Sequence, residues 1–339
     1  MGSSNGQGTI LCFGEMLLRL SARGRGPLLQ EGAFDACFGG AEANVAVALA
    51  RLGRHAAMAT LLPDNAIGDA ATEALRRHGV DVSRVARREG RMGLYFLSPG
   101  AGVRAASIVY DRAGSTFAQA KAGDFDWPTL LQGVDRLHLT GITPALGPDS
   151  AALAITAARA ARTAGVAVSF DGNYRARLWE GWDSNPREIL TALAREADLL
   201  FGNHRDIALL LDRAFPGDGP DRRRAAAEAA FAAFPNLGHI ASTARHIEDA
   251  DRHRITARID TPEAAFETAE IEIAGIVDRI GTGDAFAAGV LHGLDQGETA
   301  AVETGLALAA LKHSIPGDFS LSGPRELAAF REGGFDVRR

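Results

Sequence analysis

An α/β fold, with a mainly parallel central sheet flanked by helices and a small β flap over one end, is what this sequence predicts. Three observations carry the prediction. Strand-like apolar runs alternate with helix-like segments over most of the 339 residues, the pattern of a doubly covered parallel sheet. Two stretches, 19–38 and 92–117, break that rhythm with glycines and scattered apolar residues. They read as short antiparallel strands of a flap, because long structureless loops are uncommon in compact domains. Third, a strand-like run from Ile271 to Ile280 ends on Gly281-Thr282-Gly283-Asp284 and opens an alanine-rich helix.

In chain order, Ile10 to Phe13 is a short apolar strand, and Ala41 to Leu52 a helix with Val45, Leu49 and Leu52 at helical spacing. Arg136 to Leu139 is a strand. Ser150 to Ala164 is an alanine-rich helix ending at Gly165, and Val166 to Phe170 the next strand. Strand Asp198 to Phe201, helix Arg205 to Leu211 and strand His239 to Ser242 follow, then helices Asp284 to Leu294 and Ala300 to His313. Met1 to Gly8 is small and polar, expected as a frayed tail. No linker or repeat divides the chain, so one domain over 1–339 is expected.

Composition narrows the function. The chain is 46% hydrophobic, ample for a sizeable core, and its formal net charge of −6 argues against nucleic acid as a partner. An anionic substrate would then need arginines concentrated locally. Cys12 and Cys37 are too few for a disulfide framework, so a reducing cytoplasm is the expected compartment. No apolar run is long enough to span a bilayer. A phosphate-binding G-x-x-x-x-G-K-[ST] loop is absent, and the G-x-G at Gly281 and Gly283 lacks the third glycine of a dinucleotide fold.

The Gly281 to Asp284 turn carries the most chemistry. Two glycines at a strand-to-helix junction let bare N–H groups converge, and the helix N-terminus adds positive potential. Such a nest suits the charge on a phosphoryl group in flight. Asp284, in the first helical turn, is expected to be kept ionised by the same field and to accept a proton. An ordinary tight turn with a first-turn acid fits the four residues as well.

Several segments together resemble the PfkB/ribokinase family of sugar kinases and, within it, the 2-keto-3-deoxygluconate kinases. Phe38-Gly39-Gly40-Ala41-Glu42-Ala43-Asn44-Val45-Ala46 is similar to the family's sugar-binding signature, and Asp278-Arg279-Ile280-Gly281-Thr282-Gly283-Asp284-Ala285-Phe286 to its catalytic one. His138 to Thr143, Asp171 to Arg175 and Lys312 to Asp318 look like segments of the ketodeoxygluconate enzymes. The likeness runs from about Ile10 to Phe330. It implies a ribokinase-like fold, ATP and Mg²⁺ as cofactors, a small sugar acid as substrate, and pairing of subunits through the flap into a homo-oligomer.

The same resemblance assigns roles. Gly40, Ala41, Glu42, Ala43 and Asn44 would meet the sugar, the glycines by letting it approach the backbone and Asn44 by donating and accepting. Tyr95, Tyr110, Arg112, Arg175 and Asp318 match positions around the acidic sugar. Arg112 and Arg175 are the candidates for its carboxylate, since a guanidinium fork fits one and a neutral sugar would not demand it. Arg175, with Asn173, is also a candidate for the transferred phosphate. Asn203 and Asp206 stand where the family has N-x-x-E near the magnesium–phosphate network, although N-cap Asn with an acid three residues on is also an ordinary helix start. The family's lysine- and glycine-containing turn near the nucleotide is replaced by Ala241-Ser242-Thr243-Ala244-Arg245-His246, leaving Ser242, Thr243 and Arg245 as its candidates.

The expected reaction is ATP-dependent phosphorylation of the 6-hydroxyl of 2-keto-3-deoxygluconate. Asp284 acts as base, and the Gly281–Gly283 N–H groups with Mg²⁺ take up charge. Another sugar (2-keto-3-deoxygalactonate, fructose or a nucleoside) and a non-catalytic sugar sensor are the alternatives. Of the histidines, His138 is expected as a hydrogen-bonded core residue, and His246 and His253 as the flanks of a solvated hairpin.

Overall fold

Alternation along the first strand shows how the layers form. In the computed structural model, which describes residues 8–333, β1 (Thr9–Phe13) sends Leu11 and Phe13 into one apolar core and Ile10 and Cys12 into another, on the opposite face. Of the tail expected over Met1–Gly8, all but Gly8 lies outside the described residues.

The chain continues through β2 (Leu17–Ala22), β3 (Phe34–Gly39), β4 (Ala56–Pro63), β5 (Val85–Arg88), β6 (Gly93–Ser98) and β7 (Ser107–Asp111). Then come β8 (Val134–Thr140), β9 (Ala167–Asp171), β10 (Leu199–Phe201), β11 (His239–Ile247), β12 (Arg252–Asp260), β13 (Ala265–Glu267) and β14 (Ile271–Ala274). Ten of these build the main sheet in the order β13-β12-β11-β10-β9-β8-β1-β4-β5, with β14 also on β12. From β5 to β11 every pairing is parallel. Strands β12, β13 and β14 add an antiparallel edge. Alanine-rich helices, Ala41–Arg51, Pro148–Thr163, Thr282–Gly293 and Glu298–Lys312, cover the faces. Their small side chains allow close packing on sheet and helix alike.

The remaining four strands form the lid, in the order β3-β2-β6-β7. The two expected flap segments are therefore one sheet, but not an all-antiparallel one: β2 and β6 run parallel. The reason is topological. Strands β2 and β6 each follow a parallel strand of the main sheet, β1 and β5, and leave from the same end, so they point the same way.

Two further expectations are corrected. The strand expected over Ile271 to Ile280 stops at Ala274, where Gly275 takes a φ of 67°. Asp278 then turns the chain by accepting the Ile280 N–H at 2.9 Å. And residues 241–246 are no turn. Strand β11 runs on to Ile247, pairing Ala241 through His246 with Ile259 through Arg254. With no glycine or proline to break the ladder, the reversal waits until 248–251. The hairpin is not fully solvated either: His253 is buried, its ring edge-on to His313 at 5.8 Å between centroids. His138 is a core residue as expected, with Nδ1 3.0 Å from Ser169 Oγ.

Candidate active site

The parallel strands end together, and the loops leaving them carry the chemistry. After β1 comes Glu15, after β8 Gly141, at the end of β9 Asp171, and after β10 Asn203. In open α/β sheets ligands bind in this crevice outside the carboxyl ends of the strands.

Two helix starts meet there. Gly40 opens the helix Ala41–Arg51, and Gly281 opens Thr282–Gly293 in the left-handed region, φ 81°. A side chain at Gly281 would put its Cβ 2.1 Å from the Asp318 carbonyl oxygen, so only glycine makes this turn. At Gly283 a Cβ would meet nothing within 4 Å, so the turn faces open space. The first-turn N–H groups there have no partner within their own helix, which fits an anion.

Asn44 and Asp284 come from these two helices, 240 residues apart, and touch: Asn44 Nδ2 donates to Asp284 Oδ2 at 2.6 Å. Asn44 is 3% exposed and, among the described residues, its Oδ1 has no hydrogen-bond partner, which leaves a buried acceptor unpaired. The expectation that the helix field keeps Asp284 ionised is not met. Burial, and then the nearby carboxylates of Asp171, Asp318 and Glu42, push its pKa up to about 8, against the pull of the Asn44 bond.

Other signature residues face elsewhere. Ala43 lies in the hydrophobic core, and Glu42, 1% exposed, spends its carboxylate on the end of β8. Its Oε1 accepts from Thr140 N at 3.1 Å and Thr140 Oγ1 at 2.8 Å. Burial raises Glu42 to about 6. Of this signature, Asn44 and the Gly40–Ala41 backbone are left to meet a ligand.

On the lid, Arg112 Nε donates to Glu15 Oε2 at 2.8 Å, with Nη2 on the same oxygen, so the expected free fork is half engaged. Among the described residues Nη1 makes no bond. Its guanidinium lies over the Tyr110 ring, 5.6 Å from the centroid, and Tyr110 stays 44% exposed. Tyr95 and Asp318 are buried against each other, the phenol OH 2.6 and 2.7 Å from the two carboxylate oxygens.

Around β9 and β10 the helix-start reading of Asn203 and Asp206 is realised. Asn203 Oδ1 caps Arg205 N at 2.8 Å, and Asp206 Oδ2 accepts the Asn203 N–H at 2.7 Å. Asp206 nonetheless sits near Asp171. Burial first, and Asp206 among the rest, lift Asp171 to about 7, and burial raises Asp206 as well. Two desolvated carboxylates side by side are a donor set that a hard cation would relieve. Asn173 is held at φ 39°, its N–H on Asp171 Oδ1 at 3.0 Å. Among the described residues no group of three or more His, Cys, Asp or Glu side chains forms a metal cage. Magnesium, usually held by one or two carboxylates plus phosphate, needs none.

The strand geometry of 241–246 separates two candidates. Side chains three apart on a strand point to opposite faces, so Ser242 and Arg245 cannot share one ligand. Arg245 and Thr243 lie on the face of Ile255 and Ala257, directed to the helix side. Arg245 lies on an exposed stretch of β11, and its pKa is lowered by partial burial and by the positive charge of Arg279 and Arg175. Arg175 is exposed and, among the described residues, its guanidinium bonds to the Tyr174 carbonyl at 3.2 Å. Arginines that feel one another's charge and have no ion-pair partner among the described residues suit a polyphosphate.

A kinase family model, described as pfkB family carbohydrate kinase, matches residues 7–318. The chain belongs to the pfkB family of carbohydrate kinases. Among relatives of this kinase, a 2-dehydro-3-deoxygalactonokinase of Haloferax volcanii is 31% identical over 96% of this chain and 97% of its own. The crystal structure of a 2-dehydro-3-deoxygluconokinase from Thermotoga maritima matches with a TM-score of 0.90 and 36% identity, over 96% of this chain and 99% of that one. A fructokinase with bound ATP from Xylella fastidiosa matches with a TM-score of 0.76 and 25% identity, over 96% and 98%.

Sequence reasoning missed Arg19, Glu15, Asp171, Asp278 and Arg279 as members of this site. For Glu15 and Asp171 a signal existed, since both stand at the carboxyl ends of recognisable strands. Arg19 carried none, because its partners lie more than 250 residues away.

Proposed function

We propose that this kinase phosphorylates the 6-hydroxyl of 2-keto-3-deoxygluconate (the 2-dehydro-3-deoxygluconate of its relatives' names), with ATP as donor. The observation that carries the reading is the contact of Asn44 with Asp284 at the head of the open Gly281–Gly283 turn. It brings a sugar-hydroxyl ligand, a proton acceptor and an anion nest to one point. Asn44 orients the hydroxyl, whose proton passes to an Asp284 oxygen as its oxygen bonds to the γ-phosphorus and the bond to the leaving diphosphate breaks. The turn's N–H groups receive the charge on the phosphoryl oxygens. Arg175, Arg245 and Arg279 hold the phosphate chain, while Arg112 Nη1 and the Tyr110 hydroxyl are left for the sugar's carboxylate. Mg²⁺, held by Asp206 and Asp171, would neutralise phosphate charge when bound.

The test is ADP release with Mg·ATP across 2-keto-3-deoxygluconate, its C4 epimer 2-keto-3-deoxygalactonate, 2-ketogluconate, fructose, ribose and adenosine. Turnover concentrated on the deoxy keto acids supports the reading. Turnover on neutral sugars alone removes the carboxylate role of Arg112. The 31% identity to a galactonate enzyme favours the epimer as the second reading, and the ratio of the two turnovers decides between them.

A further inference from the structure

A buried charge cluster joins the lid to the catalytic turn, and two of its members, Arg19 and Asp278, have no part in the sugar and donor contacts proposed above. Arg19, on lid strand β2 and 4% exposed, pairs through Nη2 with Asp278 Oδ2 at 2.6 Å and through Nη1 with Asp318 Oδ1 at 3.0 Å. Its Nε is fixed on Ser21 Oγ at 2.6 Å. Asp278 spends the rest of its capacity on backbone. Oδ1 takes the Ile280 N–H at 2.9 Å, and Oδ2 takes Gly317 N–H at 3.1 Å. Asp318 meets the second lid strand through the Tyr95 hydroxyl, and its own carbonyl oxygen fills the space that a Cβ at Gly281 would need. Lys312, fully buried beneath, donates to the Ile315 carbonyl at 2.9 Å. Arg19 thus faces two carboxylates, and apart from its bond to Ser21 within β2 these contacts cross from lid to turn or brace the turn from behind.

Stability alone is a poor reason for such a cluster, because a buried ion pair rarely outperforms apolar residues of the same volume. Its placement is the better guide. Asp278 lies three residues before Gly281 and fixes the backbone on both sides of the nest.

We propose that Arg19 and Asp278 are positioning residues for phosphoryl transfer: the lid strand β2 holds the Gly281–Gly283 turn in its anion-binding shape through the Arg19–Asp278 pair. The inference rests on reading that turn as the anion hole. An anion hole acts on charge that develops in the transition state, so its distortion lowers kcat and leaves sugar binding nearly intact.

The experiment measures kcat and KM for the sugar turned over in the panel above, in Arg19→Met, Arg19→Lys, Asp278→Asn and the Arg19→Met/Asp278→Asn double variant, with thermal melts of each. We expect Arg19→Met and Asp278→Asn each to lower kcat ~10²-fold, the cost of roughly an ångström of misplacement, with sugar KM changed less than about threefold. Arg19→Lys should recover about tenfold of that loss, and the double variant should fall no lower than the worse single one. Losses that multiply, or that appear only in KM, overturn the coupling, as does a folded Arg19→Met with wild-type kcat. Where a single variant leaves a buried charge unpaired and does not fold, the double variant, with neither charge, decides: wild-type kcat in it refutes the proposal. Asp284→Asn in the same assay separates this from failure of the anion-hole reading, since retained turnover there removes the site itself.

Discussion

At Asp284, burial and the carboxylates of Asp171, Asp318 and Glu42 favour the protonated acid, whereas proton abstraction needs the carboxylate. A free-enzyme pKa of about 8 means that kcat/KM should climb with pH and level off above about 8. Asp284→Asn should cost ~10²–10⁴ in kcat, read by ADP release. The same substitution should stabilise the fold. An unfolded Asp titrates near ~3.9, so between there and about 8 the folded chain binds the extra proton. Stability is therefore lost as pH rises through that window and stays level above it. Melts of the Asn variant and wild type should nearly coincide at pH ~4 and separate in the variant's favour by pH ~8.5. Sequence alone singled out Asp284 and Asn44 as candidates, because both sit in short local signatures, but it gave no sign that they touch. The pKa direction was not legible, because it is set first by burial and then by carboxylates from β9, the 312–318 segment and the first helix.

Among the elements, the turn before the helix Thr282–Gly293 is the one with least freedom. Gly281→Ala would need both a left-handed alanine and displacement of the Asp318 carbonyl, a strain of about 1–3 kcal/mol. The expected outcome is a lower melting temperature with kcat reduced ~10²-fold or more, and a wild-type kcat would show that the turn does not touch the reacting phosphoryl. The five helices read from the sequence lie within a few residues of those observed, because their apolar and alanine spacing is local, whereas Ala66–Arg77, Pro186–Glu196, Gly219–Ala233 and Pro324–Arg331 were not read. Strand ends were less so: the run from Ile271 to Ile280 looks continuous until Gly275 and the Asp278 side chain break it. The lid was recognisable as glycine-rich interruption. The parallel β2–β6 pairing was not, since it follows from where each strand leaves the main sheet.

For the molecule as a whole, a net charge of −6 would repel a nucleotide unless charge is sorted by region. On the proposed reading, Arg175, Arg245 and Arg279 supply that sorting. The ATP KM should therefore rise with ionic strength, and Arg245→Ala should both raise it and flatten its salt dependence. A salt-independent KM in wild type would place the phosphates elsewhere. The alternation of elements was enough to give the layered architecture, while the pairing of Arg112 with Glu15 depended on segments about a hundred residues apart that only the folded chain brings together. The extended strand at 241–246 has a consequence for how this kinase can change over time. A loop adapts by growing or shrinking, but in a strand one inserted residue would turn every later side chain to the wrong face. On the proposed reading, donor preference drifts by substitution at alternate positions such as Thr243 and Arg245, with chain length held fixed.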